Sequence, residues 1–104
     1  MGFVQIIVYQ TSRMDELSAL GKEFRDQSAS TPGVAKPLRG KVAADTDRPG
    51  YYLSIIEFDS QEAAMDASNQ PETQEFFGRI SRLMDGPPKF YNLEVVETWE
   101  MGED

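Results

Sequence analysis

The stretch from Tyr51 to Met84 limits the folds open to this chain more than any other segment. Tyr51 to Phe58 (YYLSIIEF) is dense in aromatic and β-branched residues and reads as a strand. Asp59 and Glu62 then stand at capping-box spacing, with Asp59 in the cap role. An alanine-rich helical region follows as far as Met84. Pro71 interrupts and restarts it, because proline fits best in the first turn of a new helix. The first part of the chain has the same order. Phe3 to Tyr9 reads as a strand, and Thr11 and Ser12 supply hydroxyls for free helix N–H groups, with Asp15 and Glu16 complementing the dipole. Met14, Leu17, Leu20 and Phe24 recur at helical spacing, and this helix fades near Ser28–Ser30, before the turn signal Thr31-Pro32-Gly33.

The remaining segments complete the pattern. Lys36 to Ala44 is a weak strand with few large apolar residues, suited to a sheet edge. It leads through Asp45–Gly50, where Pro49-Gly50 fits a type II turn, into a hairpin with the Tyr51–Phe58 strand. Phe76, Phe77, Ile80, Leu83 and Met84 form one apolar helix face, Gly86-Pro87-Pro88 stops the helix, and a fourth strand is expected from Lys89 to Trp99. The order is β-α-β-β-α-β. Antiparallel pairing with both helical regions on one side gives a ferredoxin-like α+β fold with a four-stranded antiparallel sheet. At 104 residues the chain is expected to form a single domain, 1–104.

Two helical regions cover only one face of such a sheet. Yet Val4, Ile6 and Val8 point one way in the first strand while Phe3, Ile7 and Tyr9 point the other, and only Gln5 breaks the apolar pattern. Leu53 and Ile55 oppose Tyr52, Ile56 and Phe58; Leu93 and Val95 oppose Phe90 and Val96. Strands that are apolar on both sides are normally covered on both sides. The expectation is a homodimer joined sheet to sheet.

Composition narrows the chemistry. The chain has no histidine and no cysteine, so thiolate nucleophiles, disulfides, Cys or His metal ligands and His-based catalysis are all excluded. A net charge of −8 with ten scattered Lys and Arg argues against nucleic acid and against anionic membranes as partners. Glu94, Glu97, Glu100, Glu103 and Asp104 concentrate acid near the C-terminus. Asp45-Thr46-Asp47 suggests a calcium loop, but position twelve would be Ile56 rather than Glu, so no metal site is expected. The apolar run Phe3–Tyr9 is too short for a membrane span and has no cationic flank, which makes a cytoplasmic location the default expectation.

One set of residues carries a family resemblance. Pro32-Gly33, Arg39, Asp45 and Asp47-Arg48-Pro49-Gly50, then Ile55 to Ala63 (IIEFDSQEA), then Pro71 and Phe76, resemble the antibiotic biosynthesis monooxygenase family of the dimeric α+β barrel superfamily. The resemblance implies a homodimer whose two sheets close into a barrel, with a pocket between each sheet and its helices. It implies cofactor-free oxygenation of phenols or quinols among the possible activities, with a small aromatic or polyketide-like ligand. Many members have Trp where this chain has Phe58, and many carry a His near Ala67–Ser68. Haem-degrading relatives use a His as iron ligand, so the absence of histidine argues against that activity here.

Oxygenation of this kind needs a dry pocket, a deprotonated electron-rich ring and donors for developing oxyanions. Tyr52, Arg39, Asn92 and Glu57 are the candidate catalytic residues, Arg39 as partner of an anionic substrate oxygen and Glu57 (or Glu94) as base. Tyr9, Ser54, Phe58, Phe24, Phe77 and Trp99 are the candidate substrate-binding residues. Each also has an ordinary structural role open to it. Phe24, Phe76 and Phe77 suit the core, the tyrosines a barrel seam, and Trp99 an interface. Two rival functions stand beside the monooxygenase: a non-catalytic ligand-binding or stress-related barrel, and an isomerase or cyclase using Glu or Tyr.

Overall fold

The computed structural model describes residues 2–31 and 36–102. Among the described residues four strands and three helices follow one another as β1 (Phe3–Gln10), α1 (Met14–Ala29), β2 (Arg39–Ala44), β3 (Tyr51–Phe58), α2 (Gln61–Ser68), α3 (Pro71–Ser81) and β4 (Lys89–Glu94). The strands form one antiparallel sheet in the order β2-β3-β1-β4. This is the expected ferredoxin-like α+β arrangement, with the second helical region split in two at Pro71, which occupies the first turn of α3.

The register shows which side chains share a face. Phe3 pairs with Phe58, Ile7 with Ser54 and Tyr9 with Tyr52. On β4, Asn92 lies opposite Gln5 and Phe90 opposite Ile7. These residues look toward the helices. Phe3, Phe58, Ala64 and Ala67 bury one cluster under α2, and Ile7, Tyr9, Leu17 and Ile80 bury a second under α1 and α3. Val4, Ile6, Val8, Leu53, Ile55 and Leu93 occupy the alternate positions, on the face that carries no helix. None of these six is fully buried.

Several boundaries differ from the sequence reading, each for a local physical reason. β2 begins at Arg39 rather than Lys36: Arg39 already pairs with Glu57, so the partner strand runs out there. β4 ends at Glu94 rather than Trp99 for the same reason. Glu94 pairs with Phe3, where β1 begins, and the Val95 N–H reaches the Gly2 carbonyl just before it. Val95 and Val96 therefore lie beyond the strand. The α2 cap is Ser60, not Asp59; its hydroxyl accepts from the Ala63 N–H. α3 closes at Ser81, and Leu83 and Met84 pack on the core from the turns beyond it. The turn signal at Pro32-Gly33 and the acids Glu103 and Asp104 lie outside the described residues.

Thr11 has a different role from the helix cap expected of it. Position 13 is the N-cap of α1 and makes no side-chain capping bond. Thr11 is 2% exposed, and its hydroxyl accepts from the Arg13 N–H and donates to the Leu83 carbonyl. Its own N–H donates to the Gly50 carbonyl, while the Asp85 N–H donates to the Gln10 carbonyl. One buried threonine thus fastens the end of β1 to both the β2–β3 turn and the α3–β4 connection. In that turn the Tyr51 N–H closes on the Arg48 carbonyl and Gly50 sits at φ +88°, the left-handed position that a type II turn requires of glycine. Asp45 accepts from the Asp47 N–H and from Arg48 Nε, and these bonds, the Asp47 one first, hold its carboxyl below the usual carboxylate range.

Candidate functional site

The sheet is wider than the helices that cover it. Along β2 the helix-side residues Gly40, Val42 and Ala44 are exposed, while their neighbours Ile56, Ser54 and Tyr52 on β3 are half-buried. Moving inward to β1, Tyr9 is buried. The result is a shelf that descends from solvent at β2 to the core at β1, lined by Val42, Ser54, Tyr52 and Tyr9. The Tyr9 and Tyr52 rings stack with centroids 6.0 Å apart. Strand periodicity places both tyrosines and Ser54 on one face, and their opposition follows from the antiparallel register.

Tyr9 has the most unusual environment of this group. Its ring is 4% exposed, and its hydroxyl is buried with no hydrogen-bond partner. Burial raises its pKa above the ordinary tyrosine value; Ser54 nearby opposes the rise and Tyr52 adds to it. The Ser54 hydroxyl is close enough to favour the phenolate, yet it does not complete a bond of proper geometry with the Tyr9 oxygen. Tyr9 therefore stays protonated well past neutral pH and holds an unused O–H donor at the inner end of the shelf. An unpaired buried hydroxyl costs stability, about 1–3 kcal/mol. A ligand oxygen would relieve that cost.

The other candidates divide between the two faces. Asn92 is on the helix side, where its Oδ1 accepts from Gln5 Nε2 at 3.1 Å. Arg39 and Glu57 are on the opposite, helix-free face, joined by an exposed ion pair of 3.4 Å. The structure therefore brings Tyr52, Tyr9 and Ser54 together, sets Asn92 two strands away from Tyr52 on the same face, and keeps Arg39 and Glu57 behind the sheet. Phe58 belongs to the cluster under α2. Phe24 stacks on Phe76 at 4.4 Å between α1 and α3, and Phe77 lies 5.4 Å from Phe90 above β4. Trp99 stands beyond β4, exposed to solvent. Glu94 is exposed at the end of β4.

Two hollows lie away from the shelf, between α1 and α3. A groove of about 230 Å³ lies between the end of α1 and the start of α3, lined by Phe24, Gln27, Ser28, Thr31, Gln70 and Glu72 among others. It sits directly before residues 32–35, which lie outside the description. A neighbouring cleft of about 50 Å³ is too small for an aromatic ligand. Among the described residues no group of three or more Asp or Glu is placed to hold a metal ion, and no helix is long and apolar enough to cross a membrane.

A four-stranded antiparallel sheet with its helices on one side defines a class, the ferredoxin-like α+β fold, and in this form it matches the fold of antibiotic biosynthesis monooxygenase structures. Three solved structures illustrate the likeness. SnoaB, a cofactor-independent oxygenase from Streptomyces nogalater, superposes with a TM-score of 0.75 at 14% identity, over 93% of this chain and 95% of SnoaB. A Caulobacter crescentus protein provisionally named an antibiotic biosynthesis monooxygenase gives 0.76 at 15% identity, over 92% of this chain and 91% of that one. One from Chloroflexus aurantiacus, provisionally named in the same way, gives 0.69 at 20% identity, over 98% and 100%. At these identities the likeness is one of fold. No protein-family model and no curated protein matches the chain by sequence.

Proposed function

We propose that this protein is a homodimeric, cofactor-independent monooxygenase acting on an electron-rich aromatic or quinol-like molecule. The observation that carries the reading is the buried, unpaired Tyr9 hydroxyl at the inner end of the shelf. In this mechanism the aromatic substrate lies on the shelf with one face against the Tyr52 ring. Its oxygen anion accepts a hydrogen bond from Tyr9, whose raised pKa keeps the donor intact. The phenol gives up its proton to solvent at the open end of the shelf, and stabilising the resulting phenolate promotes electron transfer from the ring to O₂, since the deprotonated substrate is itself the reductant. Ser54 provides a second hydroxyl beside the reacting oxygen. The likeness in fold to a cofactor-independent oxygenase supports this assignment.

The homodimer rests on the helix-free sheet face. A standard interface buries about 800 Å² per partner. The apolar residues of β1, β3 and β4 on that face offer such a surface, and covering it would supplement the thin core of a small domain. Arg39 and Glu57 then belong to the interface and not to the shelf.

The test is O₂ uptake by metal-free protein with a panel of quinols and anthrone-like phenols. Turnover that falls about 10²–10³-fold in Tyr9→Phe, as loss of one oxyanion donor does, supports the mechanism. Full turnover in Tyr9→Phe refutes the role of Tyr9. Absence of O₂ uptake across the panel, with saturable ligand binding or isomerised product instead, refutes the monooxygenase.

A further inference from the structure

We propose that Thr11 is a positioning residue for Tyr9: its hydroxyl ties the α3–β4 connection down over the cluster that holds Tyr9 and so keeps water from the phenol oxygen. The inference rests on the use of Tyr9 proposed above and adds what keeps that donor free for a ligand. Thr11 is buried between two exposed neighbours, Gln10 and Ser12. A valine of nearly the same shape would pack there without a hydroxyl to desolvate, so what the hydroxyl adds is its bonds.

The connection leaves α3 at Ser81 and enters β4 at Lys89. Its first turn is held locally: the Leu83 N–H donates to the Ile80 carbonyl at 2.9 Å and the Met84 N–H to the Ser81 carbonyl at 3.3 Å. Leu83 and Met84 pack on the buried cluster of Ile7, Tyr9, Leu17 and Ile80. Among the described residues, two hydrogen bonds tie this stretch to the end of β1. The Asp85 N–H donates to the Gln10 carbonyl at 2.7 Å, and the Thr11 hydroxyl donates to the Leu83 carbonyl. Both bonds fall just after Tyr9 in the chain. Thr11 is itself fixed, since its N–H donates to the Gly50 carbonyl at 3.0 Å and its oxygen accepts from the Arg13 N–H at 2.9 Å. Leu83 and Met84 are thus seated on the Tyr9 cluster from the strand end that carries Tyr9.

The Tyr9 oxygen is buried with no partner, a state that lasts only while water is shut out. A water admitted there would accept from the Tyr9 O–H, and a ligand oxygen would then have to displace it. Without the Thr11 hydroxyl the Leu83 carbonyl has lost its partner and turns toward water, drawing Leu83 and Met84 off the cluster. The threonine acts on the donor through these two side chains and touches no substrate.

The experiment is nitration of the folded chain by tetranitromethane, which modifies accessible tyrosines, followed by tryptic digestion and mass measurement. Tyr9 is the only tyrosine in residues 1–13, which trypsin releases as one peptide because Arg13 is the first basic residue. Trimethylamine N-oxide is added equally to every variant so that each is folded. In the wild type this peptide should nitrate far more slowly than in the urea-unfolded chain. Thr11→Val should speed it about thirtyfold, as the loss of two hydrogen bonds eases a local opening, and Thr11→Ser should restore the protection. Ala67→Gly weakens the other cluster, under α2, and should leave Tyr9 protected. Oxygenation should fall in Thr11→Val and recover in Thr11→Ser. Equal protection of Tyr9 in the wild type and Thr11→Val, or equal loss of it in Ala67→Gly, overturns the positioning role. So does wild-type turnover in a Thr11→Val chain whose Tyr9 nitrates. Protection that follows the Thr11 hydroxyl in a chain that takes up no O₂ with any substrate overturns the monooxygenase and leaves the hold of Thr11 on the Tyr9 cluster standing.

Discussion

Tyr9→Phe should stabilise the protein while it disables the site. The substitution keeps a ring that is 4% exposed and removes one oxygen that has no partner. In water that hydroxyl is solvated; in the fold it is stripped of water and receives nothing in exchange. The penalty for such a group is about 1–3 kcal/mol, and the small loss of packing around the missing oxygen leaves a net gain of about 1 kcal/mol. For a domain of this length that is a rise of about 4–8 °C in Tm. The assay is urea unfolding of the wild type and Tyr9→Phe at one fixed protein concentration, since the apparent stability of the proposed dimer depends on it. The midpoint should rise with the slope unchanged, while turnover falls. A variant destabilised by about 1 kcal/mol or more would refute the reasoning, because it would mean that the hydroxyl is satisfied in the free protein and is not held in reserve for a ligand.

Three further outcomes follow from the same structure. Burial raises the pKa of Tyr9, so the stability tied to its neutral form is complete below about pH 10, the ordinary tyrosine value, and is lost as pH rises through the folded-state pKa; alkaline unfolding should begin at higher pH in Tyr9→Phe than in the wild type. Thr11→Val leaves the Leu83 carbonyl and the Arg13 N–H without their partner, and should cost about 2–3 kcal/mol in urea unfolding, whereas Thr11→Ser should cost less than about 1.5 kcal/mol. Gly50→Ala places a Cβ at φ +88° and should destabilise by about 1–2 kcal/mol, read by the same method.

Much of the fold was legible along the chain because the relevant signals are local. β-branched and aromatic runs marked β1 and β3, helical spacing marked α1, and Pro71 marked the boundary between α2 and α3. The ends of β2 and β4 were not legible, since a strand stops where its neighbour stops. Strand-forming residues persist to Trp99, but the β1–β4 register ends where Phe3 meets Glu94. Thr11 was misread because a hydroxyl just before a helix is the ordinary mark of a cap, and its bond to Leu83 spans 72 positions.

The candidate site divides in the same way. Residue types and strand parity were enough to place Tyr9, Tyr52 and Ser54 on one face. That Arg39 and Glu57 look away from them follows from the register between β2 and β3, which pairs Arg39 with Glu57 on the helix-free side. The sequence by itself determined the order of elements, the two-sided greasiness of the sheet and the lack of any imidazole or thiol chemistry. Only the tertiary structure decided that one tyrosine oxygen would be buried without a partner, because that depends on which side chains converge from β1, β3, α1 and α3, and no local pattern encodes a convergence.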